Sequence, residues 1–274
     1  MDFSGSMALS EAWTLFKGRF GPLLALAILY YVLLIAIFGI VGVTMGSAFS
    51  GGPTASAGAG AMIGFIFLYV LIYAIGFFHQ AASCRICSAR HQATLGEAMA
   101  SGIRCVPTLF GVAVLAIIAL IALVAAFSIV SAVLVAGVKS SGLGLLVSLA
   151  LLMGFAYLGM RLSMVLPVVA NEDQRNPIHA IGRSWQLTRG HALKLFLLFL
   201  MVALVIGGIG LLMVMLTIGI PSAGSAPNGA GVIGLFIAMI VFGLTIGIYF
   251  IALVAAIHNQ LSGPALDDMA ETFA

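Results

Sequence analysis

The chain has 274 residues, of which 63% are hydrophobic and only 7% charged. A soluble domain carries about 25% charged residues, so this sequence cannot clothe a water-facing surface and reads as an integral membrane protein. The net charge of +3, with no basic run, leaves no footprint for nucleic acid, and none is expected as a partner.

The first feature is the stretch ALSEAWTLFKGRFGPLLAL, which begins at Ala8. Its spacing predicts an amphipathic helix lying in the headgroup plane. Leu9, Ala12, Trp13, Phe16 and Phe20 share one face; Ser10, Thr14 and Lys17 share the other. Lys17 falls where the helix dipole is negative, and Gly18 can adopt a left-handed conformation that re-aims the chain. The apolar run that follows exceeds the roughly 7–15 residues of a signal-peptide core, so a cleaved leader is not expected.

A bilayer core about 30 Å thick takes roughly 20 apolar helical residues. Six runs qualify: Pro22–Met45, Ala61–Ala82, Pro107–Val138, Leu143–Ala170, Leu195–Ile220 and Gly231–His258. The third and fourth are longer than needed and are expected to tilt, protrude or break. No ten-residue segment alternates, so strands are not expected. The predicted fold class is all-α: a polytopic membrane protein with six transmembrane helices as three hairpins, each preceded by an interfacial amphipathic helix.

Between the second and third runs lie Cys84, Cys87, His91 and Cys105, four residues of types that bind zinc. Their spacing fits no standard finger, and the favoured reading is small residues at a helix end, with no bound metal and no cofactor. Thr94 and Glu97 have the spacing of a capping box. They open TLGEAMASGIRCVPTLFGV, a weak second copy of the first phrase shifted by 86 residues, with Met99 in place of Trp and Ser101 in place of Leu. A further shift of 86 reaches the third copy, AIGRSWQLTRGHALKLFLL, which begins at Ala180. Here Ile178, Ile181, Trp185 and Ala192 are expected on one face, and His179, Arg183 and Gln186 on another. Asn176 and Pro177 form an N-cap and N1 pair, and Arg189-Gly190 repeats Lys17-Gly18. The chain is therefore expected to be a single membrane domain over residues 1–274. Its parallel pseudo-repeats span about 8–93, 94–179 and 180–265, followed by a tail over 266–274.

The connections at 47–60, 139–142 and 221–230 are small and nearly uncharged. Ten of the eleven Lys and Arg residues, and all eight acidic residues, fall on the other side; Lys139 alone does not. The positive-inside rule places the charged side, with both termini, in the cytoplasm.

The stretch VLPVVANEDQRNPIHAIGRSWQLTRGHALKLFLL, from Val165 to Leu198, carries a resemblance. Pro167, Glu172, Arg183, Ser184, Trp185, Leu187, Thr188, Arg189 and Gly190 are similar to the motif of a family of six-span bacterial membrane proteins. Relatives include the membrane domain attached to some glycerophosphodiester phosphodiesterases. The resemblance implies a helical domain of the bacterial cytoplasmic membrane without chemistry of its own, since in the phosphodiesterases the chemistry belongs to a soluble barrel.

Intramembrane ionisable residues are the usual pointers to function. No Asp or Glu lies within the six runs, and Arg161 is the one clear charge. It is expected to snorkel to the interface, the alternative being a buried pairing with Glu172 or Asp173. His79 and His258 are expected as boundary residues that hydrogen-bond neighbouring helices. Gly42/Gly46, Gly60/Gly64 and Gly243/Gly247 have the spacing of close helix crossings. No phosphate loop, zinc-protease or serine-hydrolase motif occurs. The function expected is non-enzymatic, organising lipid or assisting membrane partners through a basic, Trp-anchored collar. Trp13, Lys17, Arg19, Arg183, Trp185, Arg189 and Lys194 would make the contacts with lipids carrying anionic headgroups, with a membrane-protein partner or with a second copy. The alternative is a transporter of a lipid-like or amphipathic substrate, with Arg161 receiving an anionic headgroup; Arg161, Glu172, His79 and His258 are the candidates for an intramembrane polar site.

Overall fold

The computed structural model describes residues 3–50, 55–89, 93–138, 141–219 and 229–263. His91 and Lys139 therefore lie outside the described residues. The described residues form nine helices and no strand: α1 (Gly5–Gly18), α2 (Phe20–Ser50), α3 (Ala55–Ile86), α4 (Leu95–Val138), α5 (Ser141–Leu162), α6 (Val165–Asn171), α7 (Pro177–Leu187), α8 (Ala192–Gly219) and α9 (Gly229–Ser262). Six stretches are long and apolar enough to cross a membrane, as the composition requires. Their outward side chains are apolar: Ile35, Phe67, Ile121, Leu152 and Leu204 are all exposed. In lipid that exposure costs nothing, because hydrocarbon replaces the apolar neighbours a soluble core would supply.

The helices extend past the apolar runs. α2 continues to Ser50, and α3 begins at Ala55, inside a segment expected as a loop. Alanine is the strongest helix former, so an Ala-rich segment can extend a helix that burial has already nucleated.

The break points follow local chemistry. α7 starts as the sequence predicts: the Asn176 side chain accepts from the Ile178 and His179 amides, at 3.0 and 3.4 Å, with Pro177 next in line. The box at the start of α4 is also present, the Thr94 amide reaching Glu97 at 2.8 Å and the Glu97 amide reaching the Thr94 hydroxyl at 3.4 Å. The fourth apolar run breaks at Ser163–Met164, between α5 and α6. The turn after α7 contains Gly190 at φ +82°, a conformation that a side chain would disfavour.

Two expectations about these turns are corrected. Gly18 is not left-handed; α1 and α2 are separated by Arg19 alone, so the chain bends there and does not turn back. The middle phrase forms no separate amphipathic helix, because α4 runs unbroken for 44 residues through Pro107. The position equivalent to Gly18 and Gly190, by the 86-residue offset, is Arg104. α4 continues through it without a break.

α2 packs on α3 and α4 on α5, while α1 packs along α9. The opening turns of α4 lie on the end of α3, so close that a Cβ on Gly102 would sit 3.0 Å from both the Ala82 Cβ and the Phe78 carbonyl. α7 rests on α4 and α5, with Pro177 against Gly111. The closest of these approaches fall at glycines, Gly102 and Gly111. Ala12, Ala98 and Ser184, spaced 86 residues apart, are all fully buried. The buried face of α7 is Ala180, Ser184 and Leu187; Ile178 and Trp185 point outward. Among the described residues, the close approaches expected at Gly243 and Gly247 do not occur, since a Cβ at either would meet nothing within 4 Å.

Candidate functional site

α6 is the centre of the charged end. Six of its seven residues, Val165 and Pro167 through Asn171, are buried. Such a short helix is held by its surroundings and not by its own propensity. The residues that follow it are tied to four other elements. Asp173 adopts φ +50°, which Asp tolerates better than most side chains. There its carboxylate accepts from Arg85 at 3.3 Å and from Arg175 at 2.9 Å. Arg85 also donates to the Ala170 carbonyl at 2.9 Å, and the Arg175 carbonyl accepts from Thr108 at 3.1 Å. The segment is thereby fastened to α3 and α4.

Glu172 takes the other direction. Its Oε2 accepts from Arg183 Nε at 3.0 Å, its Oε1 from Arg183 Nη2 at 3.4 Å, and its Oε1 also lies 3.2 Å from His258 Nε2. His258 is almost fully buried on α9. Burial pulls the Glu172 carboxyl upward, but hydrogen bonds and charge from His258 and Arg183 outweigh it and hold the group at about 2. This joins α6, α7 and α9 at one carboxylate.

Arg161 does not pair with Glu172 or Asp173 in this structure. Its Nε and Nη2 donate to the Tyr157 hydroxyl at 3.1 and 2.9 Å, and its Nη1 to the Trp185 carbonyl and Thr188 hydroxyl at 3.3 and 3.4 Å. The guanidinium carbon lies 4.9 Å from the Trp185 ring centre and 5.0 Å from that of Tyr157. The Arg161 carbonyl accepts from Ser184 at 2.6 Å, closing α5 against α7.

Trp13 has a parallel setting. Lys17 Nζ lies 4.7 Å over its ring, Phe16 stacks on it at 5.5 Å, and Tyr249 meets it edge-on at 6.4 Å. Each Trp therefore has a cation and a tyrosine beside it, and each closes an apolar groove between two spans. Trp13 stands at a groove of about 490 Å³ between α8 and α9, with Val205, Ile209 and Phe242 in its walls. Trp185 stands at one of about 590 Å³ between α4 and α5, walled by Leu115, Leu120 and Phe155. Met99, the residue in the Trp position of the middle phrase, packs instead against the Leu23 and Ala82 core.

The remaining expected residues are dispersed. His79 is separate from His258: it stacks on Tyr30 at 4.8 Å, and its Nε2 has no partner among the described residues. Lys194 is exposed at the start of α8. Arg19 lies near Cys87, whose thiol burial pushes up to about 12 despite that positive charge. A thiol so protonated is a poor metal ligand. Cys84, Cys87 and Cys105 are buried and unbridged, and no three metal-binding side chains gather among the described residues. Cys105 packs against Val169 and receives Arg175 at 3.3 Å.

Residues 134–261 match the family model of the membrane domain of glycerophosphoryl diester phosphodiesterase. The resemblance read from Pro167, Glu172 and the Arg183–Gly190 run thus holds over the part of the chain that carries it. The matched region includes α5 to α9, hence Arg161, Glu172, Arg183, Trp185 and His258. Trp13, Lys17 and the α2–α3 pair lie outside it. Neither a curated protein nor a solved structure matches the chain.

The sequence reading missed the partner of His258, which it left without an acid, and it missed Arg85 and Arg175. Neither arginine stood inside an apolar run or a repeated phrase.

Proposed function

We propose that this protein is a non-catalytic module of the bacterial cytoplasmic membrane that holds and organises lipid at its charged, cytoplasmic face. The single observation that carries this reading is the recurring arrangement of Trp, Tyr and cation at the head of an apolar groove. Tryptophan and tyrosine favour the membrane interface, a cation beside them favours an anionic headgroup, and the groove below accepts acyl chains. In this reading the chain consists of three units, each beginning with one copy of the phrase. The first copy closes the span pair of the third unit and the third copy closes that of the second. Glu172 and Asp173 are both engaged in ion pairs that tie α6 to its neighbours, which supports a structural role for these two carboxylates.

The test is lipid retention. The protein would be purified in mild detergent and its bound lipid measured by native mass spectrometry. Wild type should keep anionic phospholipid through purification, and W13A/W185A should lose most of it. Equal retention by the double variant, or no retention by wild type beyond an unrelated six-span protein, would refute the reading.

A further inference from the structure

Beside the ion pairs, a separate polar cavity of about 400 Å³ opens between the end of α7, the 188–191 turn and the last turn of α9. Unlike the two grooves, it is lined largely by polar side chains, including Arg183, Gln186, Arg189, His191 and Gln260. We propose that it is a binding site for a phosphate group, which deepens the lipid reading above and rests on it.

The donor set fits. Arg183 is spent on Glu172 through Nε and Nη2, which leaves Nη1. Arg189 is exposed, and its guanidinium makes no hydrogen bond or ion pair among the described residues. The Nδ1 of His191 is buried without a partner among them. Gly190, at φ +82°, bends the backbone between Arg189 and His191, so that both line the same cavity. α8 begins at the next residue, and the positive end of a long helix adds to the attraction for an anion. Among the described residues, two acids beside the cavity are already engaged: Glu172 with Arg183 and His258, and Glu11 behind Gln260 with Asn259 at 3.0 Å. Guanidinium groups recognise phosphate oxygens by paired donation, and charge-assisted bonds of this kind are roughly twice as strong as neutral ones.

The phosphate could belong to a lipid headgroup or be free in solution, and two arms separate these sources. In the first, full-length protein in nanodiscs of phosphatidylcholine is titrated with phosphatidylglycerol vesicles. In the second, detergent-solubilised protein is titrated with inorganic phosphate. The variants are R189Q and H191Q, with R104Q as an exposed cation on α4 that does not line the cavity. We expect R189Q and H191Q each to weaken binding about tenfold, and R104Q to change it less than about twofold. An effect in the vesicle arm alone assigns the site to a lipid headgroup; an effect with inorganic phosphate assigns it to a free anion. Unchanged binding of both probes by folded R189Q and H191Q overturns the inference. If those variants still retain lipid in a Trp13- and Trp185-dependent manner, only this site fails and the general reading stands.

Discussion

His258 and Glu172 lie 86 residues apart in the chain, yet their side chains meet at 3.2 Å, and Arg183 completes the contact from a third helix. The carboxylate is the shared acceptor, so its ionisation links α6, α7 and α9.

That linkage has a definite pH sign. The folded carboxyl is held at about 2, below its ordinary value of 4.5. A depressed carboxyl stabilises the fold above its unfolded value, and that contribution is lost as pH falls from about 4.5 through about 2. Thermal melting in detergent between pH 6 and 2.5 should show this loss in wild type. E172Q should be less stable at pH 6 and should lack this part of the acid slope; an unchanged slope would dissociate Glu172 from acid sensitivity.

Removing the other partner should be costly at neutral pH. H258A leaves a partly buried carboxylate with one partner fewer and opens a cavity on α9. A loss of about 3 kcal/mol is expected, read as a large fall in melting temperature. H258A/E172Q should recover part of it, because the remaining group is then neutral. Additive losses in the double variant would contradict the contact.

Arg161 should resist conservative replacement. R161K keeps the charge but cannot serve the Tyr157 hydroxyl and the Trp185 carbonyl with one planar fork. A loss of about 1–2 kcal/mol is expected, together with a shift in Trp fluorescence, since the guanidinium lies over the Trp185 ring. Spectra identical to wild type would place the guanidinium elsewhere.

Two glycines should behave oppositely. G102A drives a methyl against Ala82 and the Phe78 carbonyl, and overpacking of this kind costs about 1–3 kcal/mol. G247A meets nothing within 4 Å and should leave monomer stability near wild type. Equal effects in melting experiments would mean that α3 and α4 are not in close contact at Gly102.

Membrane sidedness can be checked with cysteines placed singly at Lys17, Arg189 and Lys139. The native cysteines are buried, so background labelling should be low. An impermeant thiol reagent applied to intact cells should spare K17C and R189C and label K139C. Labelling of K17C and R189C from outside would reverse the proposed orientation.

Much of the architecture was legible because it is local. Span length, the Asn176 cap and the Thr94–Glu97 box depend on residues within one or two turns of each other. The continuity of α4 was not legible: Arg104 stands where the other copies have glycine, but Gly18 lies inside α1 and is not left-handed, so glycine alone does not mark the break. The faces of the phrase helices were harder to read. A search for large apolar side chains selects Trp185 and Ile178, whereas the protein-facing contact is made by Ala180 and Ser184. In a membrane, small residues allow helices to approach and large apolar ones can remain in lipid. The Glu172–His258 contact was not legible from local pattern, because it needs two distant segments in register. Its one sequence signal was the separation of 86, the same interval that relates the Trp phrases.

The unbroken α4 distinguishes the middle part of the molecule. At about 1.5 Å per residue, its 44 residues make a rod of roughly 66 Å, about twice the hydrocarbon thickness. The first and third parts have a joint where the chain enters the membrane; the middle part has none. Glu97, near one end, and Ala132, towards the other, thus stand on one unbroken helix, and the helix itself fixes their separation.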